Sequence, residues 1–148
     1  MPANDLPLLI DAARAAGEIA MRHWKGDHQT WEKDNDQGPV TEADLEVDAM
    51  LHARLTQARP DYGWLSEETE DTDARLSRER VFIIDPIDGT RAFVAGDGSW
   101  AHALAVVENG QVTAACVYLP ALDKLYSAAL GGGAHLNEAQ ISTSGRTA

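Results

Sequence analysis

Val81-Phe82-Ile83-Ile84-Asp85-Pro86-Ile87-Asp88-Gly89-Thr90 is the stretch on which the reading of this chain turns. Its first four residues form an unbroken β-branched and aromatic run, the mark of a strand buried on both faces. Such a strand delivers Asp85 to its end, where Pro86 restricts the backbone and predicts a sharp turn. Asp88 follows three residues after Asp85, so two carboxylates point into one turn and make a strong field for a hard cation. Magnesium prefers carboxylate, carbonyl and water oxygens at about 2.0–2.1 Å. Gly89 lets backbone amides approach an anion closely. Thr90 and Arg91 can open a short helix whose N-terminal amides face a phosphate. Taken alone, the same residues also fit an Asx-type turn in which the acids bond only neighbouring amides.

Upstream, Tyr62-Gly63-Trp64-Leu65 reads as a short strand running into Ser66-Glu67-Glu68. If that strand neighbours the one at 81–84, Glu67 and Asp85 meet at one sheet edge. Carboxylates converging there repel unless cations join them. The alternative is a solvated acidic loop, since Glu70, Asp71 and Asp73 follow. Residues 5–25 form an amphipathic helix, with Leu9, Ile10, Ala13, Ala16, Ile19 and Ala20 at helical spacing. In Pro39-Val40-Thr41-Glu42-Ala43-Asp44, Thr41 reads as a helix cap with an acidic partner three residues on. That opens a second helix over 41–58, stopped by Arg59-Pro60. Trp31 falls in a short strand of an otherwise polar segment.

Downstream the pattern is antiparallel. Ala101–Val107 and Val112–Tyr118 flank the Asn109-Gly110 hairpin turn, and a further turn at Leu119–Asp123 leads into Lys124–Ala129. The glycines Gly131-Gly132-Gly133 then run into Ala134-His135-Leu136-Asn137. The expected class is α+β, two helices packed on an antiparallel β-sheet.

Composition narrows the function. The 148 residues are 44% hydrophobic and 24% charged, as in ordinary globular proteins, and suit one domain. The net charge of −12 disfavours nucleic acid and anionic membranes as partners. No apolar run approaches the roughly 20 residues of a membrane span, and Met1–Asp5 lacks the pattern of a secretory signal. The expected location is therefore the cytoplasm. Cys116 is the single cysteine and lies in an apolar run, so it reads as a core thiol and excludes an intrachain disulfide. His23, His28, His52, His102 and His135 show no metal-ligand spacing.

Lys33, Pro39–Asp44, Leu65-Ser66-Glu67-Glu68 and Asp85-Pro86-Ile87-Asp88-Gly89-Thr90, in this order, resemble the inositol monophosphatase superfamily. That superfamily includes inositol phosphatases, 3'(2'),5'-bisphosphate nucleotidases and histidinol-phosphate phosphatases. The resemblance covers nearly the whole chain, and the hexapeptide from Asp85 is its most specific part. It implies magnesium-dependent hydrolysis of a small phosphate monoester by water, with two or three Mg2+ ions for which Mn2+ can substitute. No covalent intermediate is required. It assigns Glu67 to the metal and to orienting water with Thr90. Asp85 would bridge two metals, the Ile87 carbonyl would complete the first site, and Asp88 would bind the second. Gly89 and Thr90 amides would hold the phosphate. Asp44 would serve the catalytic site from the outer shell, where a third metal binds, and Lys33 matches a position beside it. A solvated loop lysine is the alternative for Lys33.

The resemblance also stops short. The family continues into a second domain with a Trp-Asp motif, whereas Trp24, Trp31, Trp64 and Trp100 precede Lys25, Glu32, Leu65 and Ala101. Residues 1–148 therefore resemble the N-terminal metal-binding domain, with the C-terminal domain absent. The expectation is that this chain alone is inactive or nearly so. It is also expected to expose an apolar sheet face and to form a homo-oligomer. A small phosphorylated metabolite is the expected partner of the complete enzyme. A reading from another class is a catalytically inactive metal- or phosphate-binding module.

Overall fold

Small and aliphatic side chains on one face allow the first helix to lie close against a sheet. In the computed structural model, which describes residues 2–24, 30–32, 39–66 and 78–141, α1 spans Pro2–Trp24. It buries Leu9, Ala12, Ala13, Ala16 and Ala20 completely. Gly17 completes that close approach, because a Cβ there would fall 2.6 Å from the ring of Tyr118. A two-stranded antiparallel ribbon follows, β1 (Thr30–Glu32) with β2 (Pro39–Thr41). Then comes α2 (Glu42–Ala58), which buries Val47, Leu51 and Leu55 together with two acids, Asp44 and Asp48.

The remaining strands form one seven-stranded sheet in chain order. They are β3 (Gly63–Ser66), β4 (Arg80–Asp88), β5 (Ala101–Glu108), β6 (Gln111–Leu119), β7 (Lys124–Ala129), β8 (Gly133–Leu136) and β9 (Ala139–Ile141). A short helix, α3 (Thr90–Ala95), interrupts β4 and β5. Among the described residues every pairing in this sheet is antiparallel except β3 with β4, which is parallel. The α+β class is as expected, with this one parallel pair inside the antiparallel sheet.

The pleat sorts the sheet into two faces. Phe82, Ile84, Leu104, Val106, Ala114, Cys116 and Leu125 are buried in the core beneath the helices. Each large apolar side chain fully buried there contributes roughly 1.5–3 kcal/mol. The alternate residues Ile83, Val117 and Tyr126 are 40%, 38% and 37% exposed, and Ile141 on β9 is 39% exposed. An apolar depression lined by Ala115, Val117, Tyr126, Ala128, Ala134 and Ile141 marks this open face.

Three local outcomes differ from expectation. The run at 81–84 is buried on one face and not on both, since Ile83 is 40% exposed. The run at 81–84 does not end at Ile84, because the strand continues to Asp88 and a register shift absorbs the residues around Pro86. Beyond Asn137, β9 adds an unexpected strand. It is three residues long and exposed throughout, so it carries no alternation to read. The turn before it is set by Asn137, whose side chain accepts the Leu125 amide at 2.8 Å and donates to the Asp123 carbonyl at 2.9 Å. At the Asn109-Gly110 hairpin both residues have positive φ, 51° and 81°, as the sequence requires.

Among the described residues no helix is long and apolar enough to cross a membrane. Cys116 is 1% exposed, and burial raises its thiol pKa to about 12. Labelling of the folded chain by a thiol reagent at pH 8 should therefore be at least ~100-fold slower than labelling in urea. Equal rates would show that the thiol is accessible in the native fold.

Candidate active site

The site is built where the pairing of β3 with β4 ends. Their parallel register pairs Ser66 with Ile84, so β3 and this pairing stop one residue before Glu67 and Asp85, while β4 runs on to Asp88. The neighbouring strands on which the convergence argument depended are therefore present. Glu67, Glu68 and Lys33 themselves lie outside the described residues. A depression lined by Leu65, Ser66, Ile83, Ile84 and Asp85 opens at these strand ends.

Past Ile84, β4 departs from a regular ladder. Asp85 pairs with Ala103, but the next pair is Asp88 with Ala101. Pro86 and Ile87 thus oppose the single residue His102, which is a β-bulge. Pro86 has no N–H to give the ladder, so a bulge accommodates it inside the sheet. Pro86 and Ile87 are buried while Asp88 and Gly89 are exposed, so the bulge carries the chain out of the core to the surface.

Gly89 then starts α3 in the left-handed region, with φ 89° and ψ 39°. A Cβ there would also meet the Ser99 carbonyl oxygen at 3.1 Å. Glycine is therefore required for conformation and space together. The helix is anchored by Phe93, whose ring packs edge-on against Trp100 with centroids 4.9 Å apart. Its first amides have no acceptor within the helix.

Two buried acids on α2 tie this turn to the strand ends. Asp44 is 1% exposed and accepts a hydrogen bond from Thr90 Oγ1 at 3.0 Å. Thr90 Oγ1 also lies 3.1 Å from the Ile87 carbonyl oxygen. The hydroxyl has one proton for these two acceptors, so it holds the Asp44 carboxylate and the Ile87 carbonyl in one cluster. One helical turn further, Asp48 accepts a hydrogen bond of 2.5 Å from Ser66 Oγ, at the end of β3. The sequence reading included Asp44 but missed Asp48. Its signal was available: a second carboxylate at i+4 on the face that carries Ala43, Val47 and Leu51.

His102 was also missed. It is fully buried, its Nδ1 lies 2.5 Å from the Pro86 carbonyl oxygen, and burial lowers its pKa to about 4. Its signal was a polar residue on the inward side of an alternating strand, between Trp100 and Leu104. His23 lies instead on the surface of α1 beside Glu46 at 3.0 Å, and His52 meets the Trp64 ring edge-on.

Asp85, Asp88, the Ile87 carbonyl and Asp44 offer only hard oxygen donors, the set that magnesium or manganese takes. Among the described residues no three His, Cys, Asp or Glu side chains converge closely enough to hold a cation. The donor types fit such an ion, with further carboxylates in the chain at Glu67 and Glu68.

The helix-covered sheet is shared with solved members of a phosphatase family. The solved Thermotoga maritima IMPase superposes with a TM-score of 0.85 at 34% identity, covering 98% of this chain and 55% of that one. An inositol-1-monophosphatase of Mesorhizobium japonicum is 35% identical over 144 residues, covering 95% of this chain and 53% of the relative. A histidinol-phosphatase of Chlorobaculum parvum is 32% identical, with coverage of 95% and 53%. The inositol monophosphatase family model matches residues 3–148, and the chain belongs to that family. It spans about half the length of the curated relatives it matches.

Proposed function

We propose that this chain is the N-terminal, metal-binding half of an enzyme that hydrolyses a small phosphate monoester with magnesium. The observation that carries the proposal is the junction of Thr90, Asp44 and the Ile87 carbonyl at the end of β4. Asp85, Asp88, the Ile87 carbonyl and Glu67 would hold the ions, with Asp44 behind them. Magnesium, when bound there, supplies positive charge to the phosphate and acidifies water. The chain's own contribution is positioning and proton handling. Thr90 donates its proton to Asp44, which leaves its oxygen lone pairs free to orient a water by accepting from it. Gly89 and Thr90 amides would bind phosphate oxygens at the start of α3.

Inositol monophosphates are the leading substrates, with 3'-phosphoadenosine 5'-phosphate and histidinol phosphate as alternatives. A side-by-side assay of the three, with magnesium and with a chelator, tests the proposal. Magnesium-dependent release of phosphate from at least one is the expected result in a protein of the relatives' full length. Failure with all three would remove it.

The half-length match to the curated relatives favours a second reading for the 148 residues alone, a module that binds cation and phosphate without turnover. Binding of Mn2+ without hydrolysis would support that reading. The apolar face around Val117 and Tyr126 favours self-association of the isolated chain, which sedimentation would reveal.

A further inference from the structure

We propose that His102 is a positioning residue that holds the bulged turn from Asp85 to Asp88 in its ligating shape through the Pro86 carbonyl. The inference rests on the metal-binding reading of that turn and adds a residue from a different strand.

The register defines the need. In a regular antiparallel ladder one residue would face His102, but here two residues face it. The bulge is thereby a point where β4 can slip. A one-residue slip toward regular pairing would bring Ile87 rather than Asp88 opposite Ala101, and the side chains beyond it would change faces. An additional bond at the bulge opposes that slip. His102 supplies it from its side chain, with Nδ1 at 2.5 Å from the Pro86 carbonyl oxygen. A carbonyl only accepts, so Nδ1 carries the proton. Its ring is fixed in turn by Trp100, edge-on at 5.6 Å, and by Tyr118 at 6.4 Å. Nε2 is buried and has no hydrogen-bond partner among the described residues, so this imidazole makes one hydrogen bond within them. A buried polar ring with one of its two nitrogens unused is costly in a hydrophobic core. Leucine at 102 would fill the position without that cost, so holding Pro86 is a specific reason for histidine.

The test compares His102→Leu, which keeps approximate volume and removes the donor, with His102→Asn. The Asn amide can place its NH2 where Nδ1 stood. Two readouts are taken on the full chain: the 13C shift of the Pro86 carbonyl without metal, and Mn2+ affinity by electron paramagnetic resonance. His102→Leu should shift the carbonyl resonance and weaken Mn2+ binding about 10–100-fold, as loss of a partner behind a metal ligand does. His102→Asn should restore both. An unchanged carbonyl shift or unchanged Mn2+ affinity in His102→Leu, in a wild-type chain that binds Mn2+, overturns the inference. A carbonyl shift that responds in a wild-type chain that binds no Mn2+ would instead overturn the metal-binding reading, while leaving His102 as the clamp of the bulge. Should His102→Leu fail to fold, the wild-type ring 15N spectrum decides. Protonated Nδ1 with bare Nε2 is expected, and the opposite tautomer removes the bond to Pro86.

Discussion

Asp85→Asn should lower turnover by on the order of 1,000-fold in the catalytically competent protein, which is about 4 kcal/mol of transition-state stabilisation. The substitution is nearly isosteric and leaves the backbone pairing of residue 85 with Ala103 available, so the fold should be retained. What changes is charge. If Asp85 holds cations as proposed, its carboxylate would offer them two anionic oxygens, whereas an amide offers one neutral acceptor. Mn2+ affinity of the chain should fall in parallel, and that measurement needs no turnover. Unchanged activity with an unchanged thermal midpoint would show that Asp85 does not bridge metals. Weakened Mn2+ binding with unchanged turnover would place it at an ion that catalysis does not require.

The part of this fold visible in the sequence is the part where one physical rule dominates. Val81–Ile84 could be read as a strand from its β-branched run, although only Phe82 and Ile84 are buried and Ile83 is exposed, and Asn109-Gly110 as a hairpin turn. The helices were legible because Leu9 to Ala20 and Val47 to Leu55 repeat with a helical period. Boundaries shifted by at most a few residues. The end of β4 was misread because Pro86 normally breaks a ladder, and nothing local announces that a bulge will absorb it. The bulge is a property of two strands, and only the pairing of Asp88 with Ala101 reveals it.

The same distinction applies to the site. The acids and glycine of the turn stand together in the chain, so a cation- and phosphate-binding turn could be proposed before any fold was known. The supporting contacts join residues far apart in sequence: Thr90 with Asp44, Ser66 with Asp48, and His102 with Pro86. Asp48 and His102 each look unremarkable among their chain neighbours. They acquire a role because α2 and β5 pack beside the ends of β3 and β4.

The largest expected loss of stability comes from another long-range contact that the sequence did not announce. Asp5, in the first turn of α1, is 1% exposed. Its Oδ1 accepts from Arg59 Nε at 3.0 Å, and the Tyr62 hydroxyl lies 2.9 Å from Oδ2 and 3.1 Å from Oδ1. Arg59-Pro60 had been read only as the stop of α2. In the fold, the turn it opens is strapped to the start of α1. Asp5→Ala should cost about 3 kcal/mol, because it removes a buried carboxylate that accepts from both the half-buried Arg59 guanidinium and the Tyr62 phenol. For a chain of this size that lowers the thermal midpoint by about 10 °C. The strap also sets a pH dependence. Burial raises the Tyr62 pKa above its ordinary 10.0, followed in importance by its hydrogen bond to Asp5 and the charge of Asp5. Ionisation is then easier in the unfolded chain, so the stabilisation is complete below pH 10 and is lost as pH rises toward the raised folded value. Urea unfolding at pH 7 and between pH 9 and 11 checks both points, with Tyr62→Phe as the control that removes the ionising group. Asp5→Ala should show the lower midpoint at pH 7 and a shallower alkaline decline. A midpoint equal to that of the unsubstituted chain would show that the buried carboxylate contributes no net stability.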